Sequence, residues 1–580
     1  MATDGSIIEK ESDVSCLNPY MTETRKRLVI ASFWVVVLLG LPLWWKTTAV
    51  YRAQLPFAQI DSWVDRKACQ LTFPSTFVVH LASIADADPK AHNHPLDYPT
   101  IENAIAASVD QQIYQANTQQ CVEFPLNIEI KEWRITSDII DLLKHTSEQR
   151  EKSTIGRYDI FLAPQLPAPT STKRAHVKLG NDRSMIITLR EWTTSDIEES
   201  TAAAIATLLQ EERERVQSIA CDNELRERSN LDGLRTMKFS PMYQMTFSLM
   251  NEDPSGLQVD WDIEDAVNTY LRPFMSEVSV ISNFSVDSQI QHFAQLAVTP
   301  QYMERQKLPS YYYLTPETLP HFINSAEWNL ASAISTYPTI NFILYIPAQN
   351  KSPLRIHNSK GQPVRSNAFL IPRWGGIVIK NQPKALTASG ALAFGKEDLK
   401  PFMEIFVAQL RTLIGIHDLK KIMSPLETSH EISYESAPQT AVTVTELDAV
   451  IKQRIAENIV NSIATLKSLA QLVMDIPNMV VLDHIRTEVE ISLDSLEQAC
   501  QALQQQDYMK ALTHSISAIE RSEKAFFDPT MVSMLYFPDE HKYAIYMPLF
   551  VPVSVPMIMA VVKEFKEARR RRKEAKSKTD

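Results

Sequence analysis

The chain is short of glycine, and the patterns that most often carry enzyme chemistry are missing from its sequence. Its 580 residues include 12 glycines, against an average usage of about 7%, which disfavours glycine-rich phosphate loops and β-propellers. Five cysteines occur without a C-x-x-C pair, which argues against a structural zinc site or a thioredoxin-like centre. H-E-x-x-H and G-x-S-x-G motifs are also missing. The sequence therefore predicts no catalytic residues, no metal and no cofactor.

Two apolar stretches without a charge stand near the two ends of the chain. Residues 28–45 (LVIASFWVVVLLGLPLWW) follow three consecutive basic residues, and residues 543–562 (YAIYMPLFVPVSVPMIMAVV) precede a run of five at 569–573. Each stretch has about the length that crosses a hydrocarbon core of ~30 Å. Basic residues beside a span remain cytosolic. Both termini are therefore predicted to be cytosolic, with a lumenal region between the two spans.

Each apolar stretch has a competing interpretation. The first could be a cleaved signal peptide, although residues 47–49 (TTA) make a poor cleavage site and the Trp pair at 44–45 suits a membrane interface. The second could be a helix in a protein core, although its twenty uncharged residues exceed most core helices. Its prolines Pro548, Pro552 and Pro556 are four apart, which places them on one helix face and favours packing against other spans.

The region between the apolar stretches is acidic. The chain has a formal net charge of -11, and its basic tail (residues 563–580) contributes +5 and its leader (residues 1–27) -1, which leaves -15 for the rest. Such a charge argues against nucleic acid as a partner. The basic tail suits an anionic cytosolic leaflet. Four cysteines of the predicted lumenal region allow up to two disulfides, namely Cys69, Cys121, Cys221 and Cys500.

Strand-like and helix-like segments alternate after the first stretch, which predicts an α/β fold with a largely buried sheet. The expected strands are residues 76–83, 126–133, 158–162, 185–189, 243–249, 339–346 and 368–379. Helices are expected over residues 197–220, after a Thr-Thr-Ser-Asp start, and over residues 399–414. From about residue 442 the strands stop, and two or three long amphipathic helices follow, with a break near Pro477.

These observations predict an α/β lumenal domain with a helical C-terminal layer, tethered by two transmembrane helices. The predicted parts are a leader (1–27), a transmembrane helix (28–45), a lumenal α/β region (46–440), a lumenal helical region (441–528), a linker (529–542), a second transmembrane helix (543–562) and a cytosolic basic tail (563–580).

Three polar patterns are candidate sites. Asp86 and Asp88 follow an expected strand, and a D-x-D pair can bind Mn²⁺ between the phosphates of a nucleotide sugar, although Asp88 precedes a proline as in an ordinary turn. Asn283 begins an N-x-S sequon, a candidate for glycosylation in the lumenal region. Lys576 and Lys578 form a K-x-K-x-x end that resembles a dibasic endoplasmic-reticulum retrieval signal.

One block of sequence resembles a known family. Residues 40–48 (GLPLWWKTT), followed by 50–52 (VYR) and 55–56 (LP), resemble the start of PIG-S proteins, the class S subunits of the glycosylphosphatidylinositol (GPI) transamidase. The layout of an early span, a large lumenal domain, a late span and a basic tail is similar as well. Residues 373–377 (RWGGI) also resemble the family.

The resemblance implies a non-catalytic subunit of a multi-pass complex in the endoplasmic-reticulum membrane. The transamidase cleaves a C-terminal signal from a precursor protein and joins the new end to a GPI lipid. Its Cys/His chemistry belongs to the class K subunit, and the class T, class U and GAA-type subunits are the other implied partners, with precursor protein and GPI lipid as further ones. The alternative hypothesis is a lumenal metal-dependent glycosyltransferase that uses Asp86 and Asp88.

Overall fold

The computed structural model describes most of the chain, in segments separated by short gaps. The described residues are 19–48, 51–83, 98–114, 121–134, 154–164, 173–221, 236–305, 309–323, 328, 330, 337–382, 390–435, 442–476, 479–534 and 539–576. They divide into two compact units that alternate along the sequence. The central unit takes residues 61–464 and 492–520, and the terminal unit takes residues up to 60, 465–491 and from 521 onward.

The strands that the structure describes belong to the central unit. They are β1 (Leu71–Thr72), β2 (Ser75–Ser83), β3 (Val122–Glu123), β4 (Leu126–Arg134), β5 (Arg157–Pro164), β6 (Ala175–Leu179), β7 (Ser184–Leu189), β8 (Met242–Asn251), β9 (Leu257–Trp261), β10 (Asn283–His292), β11 (Gln301–Met303), β12 (Tyr311–Leu314), β13 (Thr339–Ile346), β14 (Leu354–Ile356), β15 (Ala368–Ile371), β16 (Gly375–Ile379), β17 (Gly390–Phe394) and β18 (Ile432–Glu435).

Helices are found in both units. They are α1 (Pro19–Thr48), α2 (Phe57–Val64), α3 (Tyr98–Tyr114), α4 (Thr194–Cys221), α5 (Ile263–Ala266), α6 (Arg272–Val278), α7 (Lys396–Ile414), α8 (Leu419–Ile422), α9 (Pro425–Ser429), α10 (Val444–Asp475), α11 (Asp483–Gln504), α12 (Tyr508–Phe526), α13 (Pro529–Met534) and α14 (Asp539–Lys576). One π-helical turn, Val267–Leu271, joins α5 to α6.

The first sheet of the central unit has six strands, in the order β18-β6-β7-β5-β2-β4. Its neighbours are parallel except for the antiparallel pair β6 and β7. Buried side chains of the strands, such as Phe77 and Ile187, share one core with Ile105 of α3 and Ile205 of α4. Parallel strands need long crossover connections, usually helical. This requirement explains the alternation of strand and helix patterns in the sequence.

The second sheet has five strands, in the order β10-β8-β13-β16-β15. Phe406 of α7 packs on one face, where its ring centroid lies 5.8 Å from that of Phe247 and 5.2 Å from that of Phe342. The other face contributes Ile343 and Tyr345 to a separate buried cluster. Three small sheets, β11-β12-β14, β1-β3 and β9-β17, complete the pairing. The α/β fold with a helical C-terminal region is thus confirmed.

One expected strand was wrong as a single element. Residues 368–379 form two antiparallel strands, β15 and β16, joined by a tight connection. Arg373 in this connection has φ of 56°, in the left-handed region that reverses the chain. The sequence over residues 368–379 looked like one continuous strand because apolar residues lie on both sides of the turn. A turn with Arg at its left-handed position lacks the Gly or Asn that usually marks a turn in a sequence.

The two glycines at the start of β16 are required by close approach. A Cβ on Gly375 would lie 1.8 Å from the main-chain oxygen of Asn341 on β13, and its φ of 153° is unfavourable for other residues. A Cβ on Gly376 would lie 1.9 Å from Oε1 of Gln409 on α7. Gln409 itself donates from Nε2 to the Phe369 carbonyl at 2.9 Å. The RWGGI segment therefore packs against strand β13 and helix α7 so closely that neither glycine leaves room for a side chain.

Two disulfides connect distant parts of the central unit. Cys69 is bonded to Cys500, 431 residues later, and Cys121 is bonded to Cys221. The sequence allowed up to two disulfides and left the pairing open. Because closing a long loop restricts the unfolded chain, such bonds typically stabilise a fold by about 2–4 kcal/mol each.

In the terminal unit, α1 contains residues 28–45 and α14 contains residues 543–562. Arg27 Nε lies 2.5 Å from Glu564 Oε1, which links these helices. Ala53 donates its N–H to the Val481 carbonyl at 2.8 Å, and the Tyr51 hydroxyl donates to Asp483 Oδ1 at 2.8 Å. Within the described residues, no helix combines the length and apolar character needed for a membrane crossing. The tether by two transmembrane helices stays a prediction.

We predict that Gly375→Ala and Gly376→Ala each lower the free energy of unfolding by about 1–3 kcal/mol or more. The reason is that a methyl group would overlap atoms of β13 or α7. Denaturant unfolding of the full-length protein in neutral detergent measures the effect. Gly256→Ala is the control, since its Cβ would meet nothing closer than 3.4 Å. Equal stability of Gly375→Ala and Gly256→Ala would contradict the close approach described above.

Candidate functional site

Three of the five candidate residues proposed from the sequence lie outside the residues that the structure describes. Asp86 and Asp88 lie outside the described residues, and so does Lys578. Lys576 is the last residue of α14. Asn283 is exposed and begins the edge strand β10. Among the residues that the structure describes, no group of three His, Cys, Asp or Glu side chains is arranged to hold a metal ion.

The most unusual arrangement of charge in the central unit surrounds Lys452 of helix α10. Its side chain is fully buried, and Nζ donates to Glu212 Oε1 of α4 at 2.7 Å and to Ser75 Oγ at 3.4 Å. A buried ammonium group loses its hydration, and only a close opposite charge and hydrogen bonds offset that cost. Lys452 therefore fixes the position of α10 against α4 and the start of β2.

Two tyrosine rings complete the surroundings of this ammonium group. Nζ of Lys452 lies 5.6 Å from the ring centroid of Tyr158 on β5 and 5.4 Å from that of Tyr508 at the start of α12. Burial first, and then the negative charge of Glu212, raises the pKa of both phenols well above the usual value. Both rings consequently remain neutral and can face the cation, an attraction that strengthens when water is excluded.

A second buried ion pair lies one helical turn before Lys452. Arg183 donates to Asp448 through Nε at 2.5 Å and through Nη2 at 2.7 Å, and the Asp448 side chain is completely buried. Burial raises the pKa of Asp448, while the bidentate hydrogen bonds from Arg183 oppose that rise. Asp448 and Lys452 are four residues apart and so lie on one face of α10.

The same helix also bonds to the segments around the second sheet. Arg454 is buried, and its Nη2 donates to the Ile414 carbonyl at the end of α7 at 2.7 Å. Glu446 accepts from Arg411 of α7 at 2.7 Å and from the Leu419 N–H at 3.0 Å. The first half of α10 thus carries charged contacts to the elements of both sheets.

The start of α10 explains why Glu446 is so placed. Thr443 Oγ1 accepts from the Glu446 N–H at 3.3 Å, while Glu446 Oε2 accepts from the Thr443 N–H at 2.9 Å. This reciprocal pair is a capping box, which satisfies two donors at the helix start. The sequence T-V-T-E at residues 443–446 carries this signal. It identifies the helix start but not the partners of the carboxylate.

A cavity beside this cluster is lined by both charged and apolar side chains. Glu212, Arg215, His417 and Glu446 face it together with apolar side chains. Nδ1 of His417 lies 2.8 Å from Glu211 Oε1, and this hydrogen bond is the first cause of a lowered pKa for Glu211. Around the cavity, Glu212 is paired with Lys452, Glu446 with Arg411 and His417 with Glu211. The arrangement thus stabilises the packing of α10 rather than presenting an activated nucleophile or base.

Sequence analysis missed the role of Lys452, although a signal was available. Asp448 and Lys452 fall among Leu447, Val450 and Ile451, all buried. Two charges of opposite sign on the apolar face of an amphipathic helix indicate buried pairing, because an unpaired charge there would be very costly. The partners Glu212 and Ser75 could not be identified, since they lie hundreds of residues away in the chain.

The described residues define a mixed α/β protein with two large sheets and a helix, α10, that pairs its buried charges with elements of both. Residues 31–571 match the family model for phosphatidylinositol-glycan biosynthesis class S protein. The chain is 35% identical over 573 residues to GPI-anchor transamidase component PIGS of Bos taurus, covering 94% of this chain and 96% of the relative. The chain belongs to the phosphatidylinositol-glycan biosynthesis class S family.

Other relatives with lower sequence identity are also named as components of the GPI transamidase. GPI-anchor transamidase component PIGS of Homo sapiens is 34% identical over 563 residues, which covers 94% of this chain and 96% of that protein. The GPI transamidase component PIG-S homolog of Schizosaccharomyces pombe is 27% identical over 549 residues, which covers 94% and 85% respectively. The resemblance seen at residues 40–56 and 373–377 is confirmed. The alternative glycosyltransferase hypothesis is not supported, because relatives that match nearly the whole chain bear transamidase names.

We predict that Lys452→Met destabilises the fold by about 3–5 kcal/mol, because it leaves the Glu212 carboxylate buried without its cation. The double variant Lys452→Met with Glu212→Leu should recover much of that loss, because neither charge then remains. Lys510→Met, which removes an exposed lysine of α12, is the control and should unfold like the wild type. The measurement is the denaturation midpoint in neutral detergent. Losses that simply add in the double variant would show that the pair is not coupled.

Proposed function

We propose that this chain is a non-catalytic subunit of the GPI transamidase, and that it supports assembly of the complex and attachment of GPI anchors to precursor proteins. The observation that carries the proposal is the near full-length match to proteins named as components of that transamidase. Proteins that match from end to end share their domain order. The near full-length match therefore favours a role in the same complex. A match limited to one domain would have left the role of the whole chain open.

The charge arrangement of the central unit supports a non-catalytic role. The described buried charges around α10 have opposite charges or carbonyl groups as partners, as in Lys452 with Glu212 and Arg183 with Asp448. Catalytic groups more often have pKa values shifted toward neutral pH and face a cleft that substrate can enter. The implied partners are the class K catalytic subunit and the class T, class U and GAA-type subunits, with precursor and GPI lipid as further contacts.

We further propose an endoplasmic-reticulum membrane location, with residues 28–45 and 543–562 as spans, cytosolic termini and a lumenal middle. The uncharged character of both stretches and their basic flanks support this topology. The disulfides support an oxidising compartment for the central unit, since such bonds persist there. Lys576 and Lys578 would then lie in the cytosol, where a retrieval receptor could bind them.

We predict that cells depleted of this chain accumulate precursor proteins with uncleaved C-terminal signals together with free GPI lipid, because attachment fails after lipid synthesis. Immunoblotting of a reporter precursor and chromatography of labelled GPI lipids measure the two effects. Re-expression of the wild type should restore attachment, and so should Asp86→Ala with Asp88→Ala. A tagged chain purified in mild detergent should retain the other subunits. A block in lipid synthesis itself would mean that the protein acts earlier, and the proposed function would be wrong.

We predict that Asn283 is glycosylated. Asn283 and Ser285 are exposed on an edge strand, where a glycosyltransferase can reach them before or after folding. Endoglycosidase treatment should increase the electrophoretic mobility of the wild type, and Asn283→Gln should abolish that shift. Ser288→Ala, on the same strand but outside the sequon, is the control. A wild type whose mobility does not change after treatment would mean that the sequon is unused.

A further inference from the structure

Two arginines of the central unit converge on one tyrosine ring. Arg305 follows β11 and Arg355 lies on β14, and the guanidinium carbon of each is 5.0 Å from the ring centroid of Tyr311 on β12. The two guanidinium carbons can therefore be no farther apart than twice that distance. Such a separation is comparable with the Debye length of about 8 Å at physiological salt, so the repulsion between the two charges is only partly screened. Stacking on the ring offsets part of this repulsion.

No carboxylate within the described ranges forms an ion pair with Arg305 or Arg355. Both arginines are exposed, whereas several other arginines of the central unit have acidic partners, such as Arg183 with Asp448 and Arg411 with Glu446. Across residues 301–305, 309–314 and 354–366 the sequence has four basic residues and one acidic residue, Glu304. This local excess of positive charge, on a chain of net charge -11, favours the binding of an anion from outside the chain.

The tyrosine that the two arginines face is held in place by buried neighbours. The Tyr311 hydroxyl is 3.1 Å from Nε2 of His357, a buried side chain on which the Tyr313 ring stacks with a centroid distance of 4.3 Å. Burial first, and then the charges of Arg305 and Arg355, lowers the pKa of His357. The exposed guanidinium groups of Arg305 and Arg355 thus lie over a buried pair formed by Tyr311 and His357.

From this geometry we propose that Arg305 and Arg355 bind a phosphate group at the surface of the β11-β12-β14 sheet. Guanidinium groups are planar forks that donate two parallel hydrogen bonds to phosphate oxygens, and a phosphate with more than one negative charge satisfies two of them together. A single carboxylate has fewer acceptor oxygens than a phosphate group and carries one charge. The geometry does not separate a lipid headgroup from a soluble phosphate compound, because both present the same oxyanion.

The test measures anion binding by calorimetry on the full-length chain in dodecyl maltoside micelles at constant ionic strength. One arm titrates sodium phosphate, and a second arm incorporates dioleoyl phosphatidic acid in the micelles. A third titrates a decaglutamate peptide. We expect the wild type to bind phosphate, phosphatidic acid or both saturably. The double variant Arg305→Gln with Arg355→Gln should bind at least about tenfold more weakly, because two groups that donate charge-assisted hydrogen bonds are lost. The arm that binds identifies a soluble or a lipid source.

The control variant is Arg272→Gln with Lys400→Gln, which removes two positive charges from exposed positions of the same unit. It should bind like the wild type. Arg355→Lys, which keeps the charge but loses the fork, should bind with an intermediate affinity, and circular dichroism checks that each variant is folded. The proposal is overturned by equal binding in wild type and the Arg305/Arg355 double variant, by an equal loss in the control, by no saturable binding in either phosphate arm, or by tighter binding of decaglutamate.

Discussion

A buried ammonium group cannot remain in a folded protein without a matching charge, and Lys452 imposes this constraint on the central unit. Its requirement for Glu212, Ser75 and two tyrosine faces brings together α4, β2, β5 and the start of α12. Because the side chain emerges from the first half of α10, the rotation of that helix is fixed as well. Apolar packing alone tolerates small rotations, whereas a charge pair in a low-dielectric interior has few acceptable geometries.

The other charges of α10 extend this constraint to the second sheet. Arg454 bonds to the end of α7, and Glu446 bonds to Arg411 of the same helix. Helix α7 in turn lies so close to β16 that a glycine is required at position 376. One helix thus relates the two sheets through hydrogen bonds with defined partners. This construction suits a subunit that must keep a constant surface for its neighbours in a complex, which is the role proposed above.

The features proposed for contact with other molecules lie away from this buried network. Asn283 is on the exposed edge of the second sheet, and the Arg305 and Arg355 pair belongs to the small β11-β12-β14 sheet. The buried network around α10 and the arginine pair differ in how their charges are paired. Around α10 the charges neutralise one another within the fold, whereas at the small sheet two like charges are held together without an acidic partner among the described residues.

The sequence by itself determined much of the secondary structure. The strand over residues 339–346 was predicted with its observed bounds, and the three helices α10, α11 and α12 were expected as two or three. These segments have strong periodicity of buried positions, which is a local property. Strand β10 was missed because its residues are mostly polar, as an edge strand with exposed side chains permits. The family was also recognisable from one short block of residues.

Only the tertiary structure decided which charges meet. Lys452 and Glu212 are 240 residues apart, and Cys69 and Cys500 are 431 apart, so no local pattern relates them. No local pattern relates the two arginines that face Tyr311 either, because in the sequence each looks like an ordinary exposed cation. Periodicity reports which face of an element is buried, because that depends on spacing along one segment. The partner of a buried or converging charge depends on how the sheets and helices pack, and that information exists only in the folded chain.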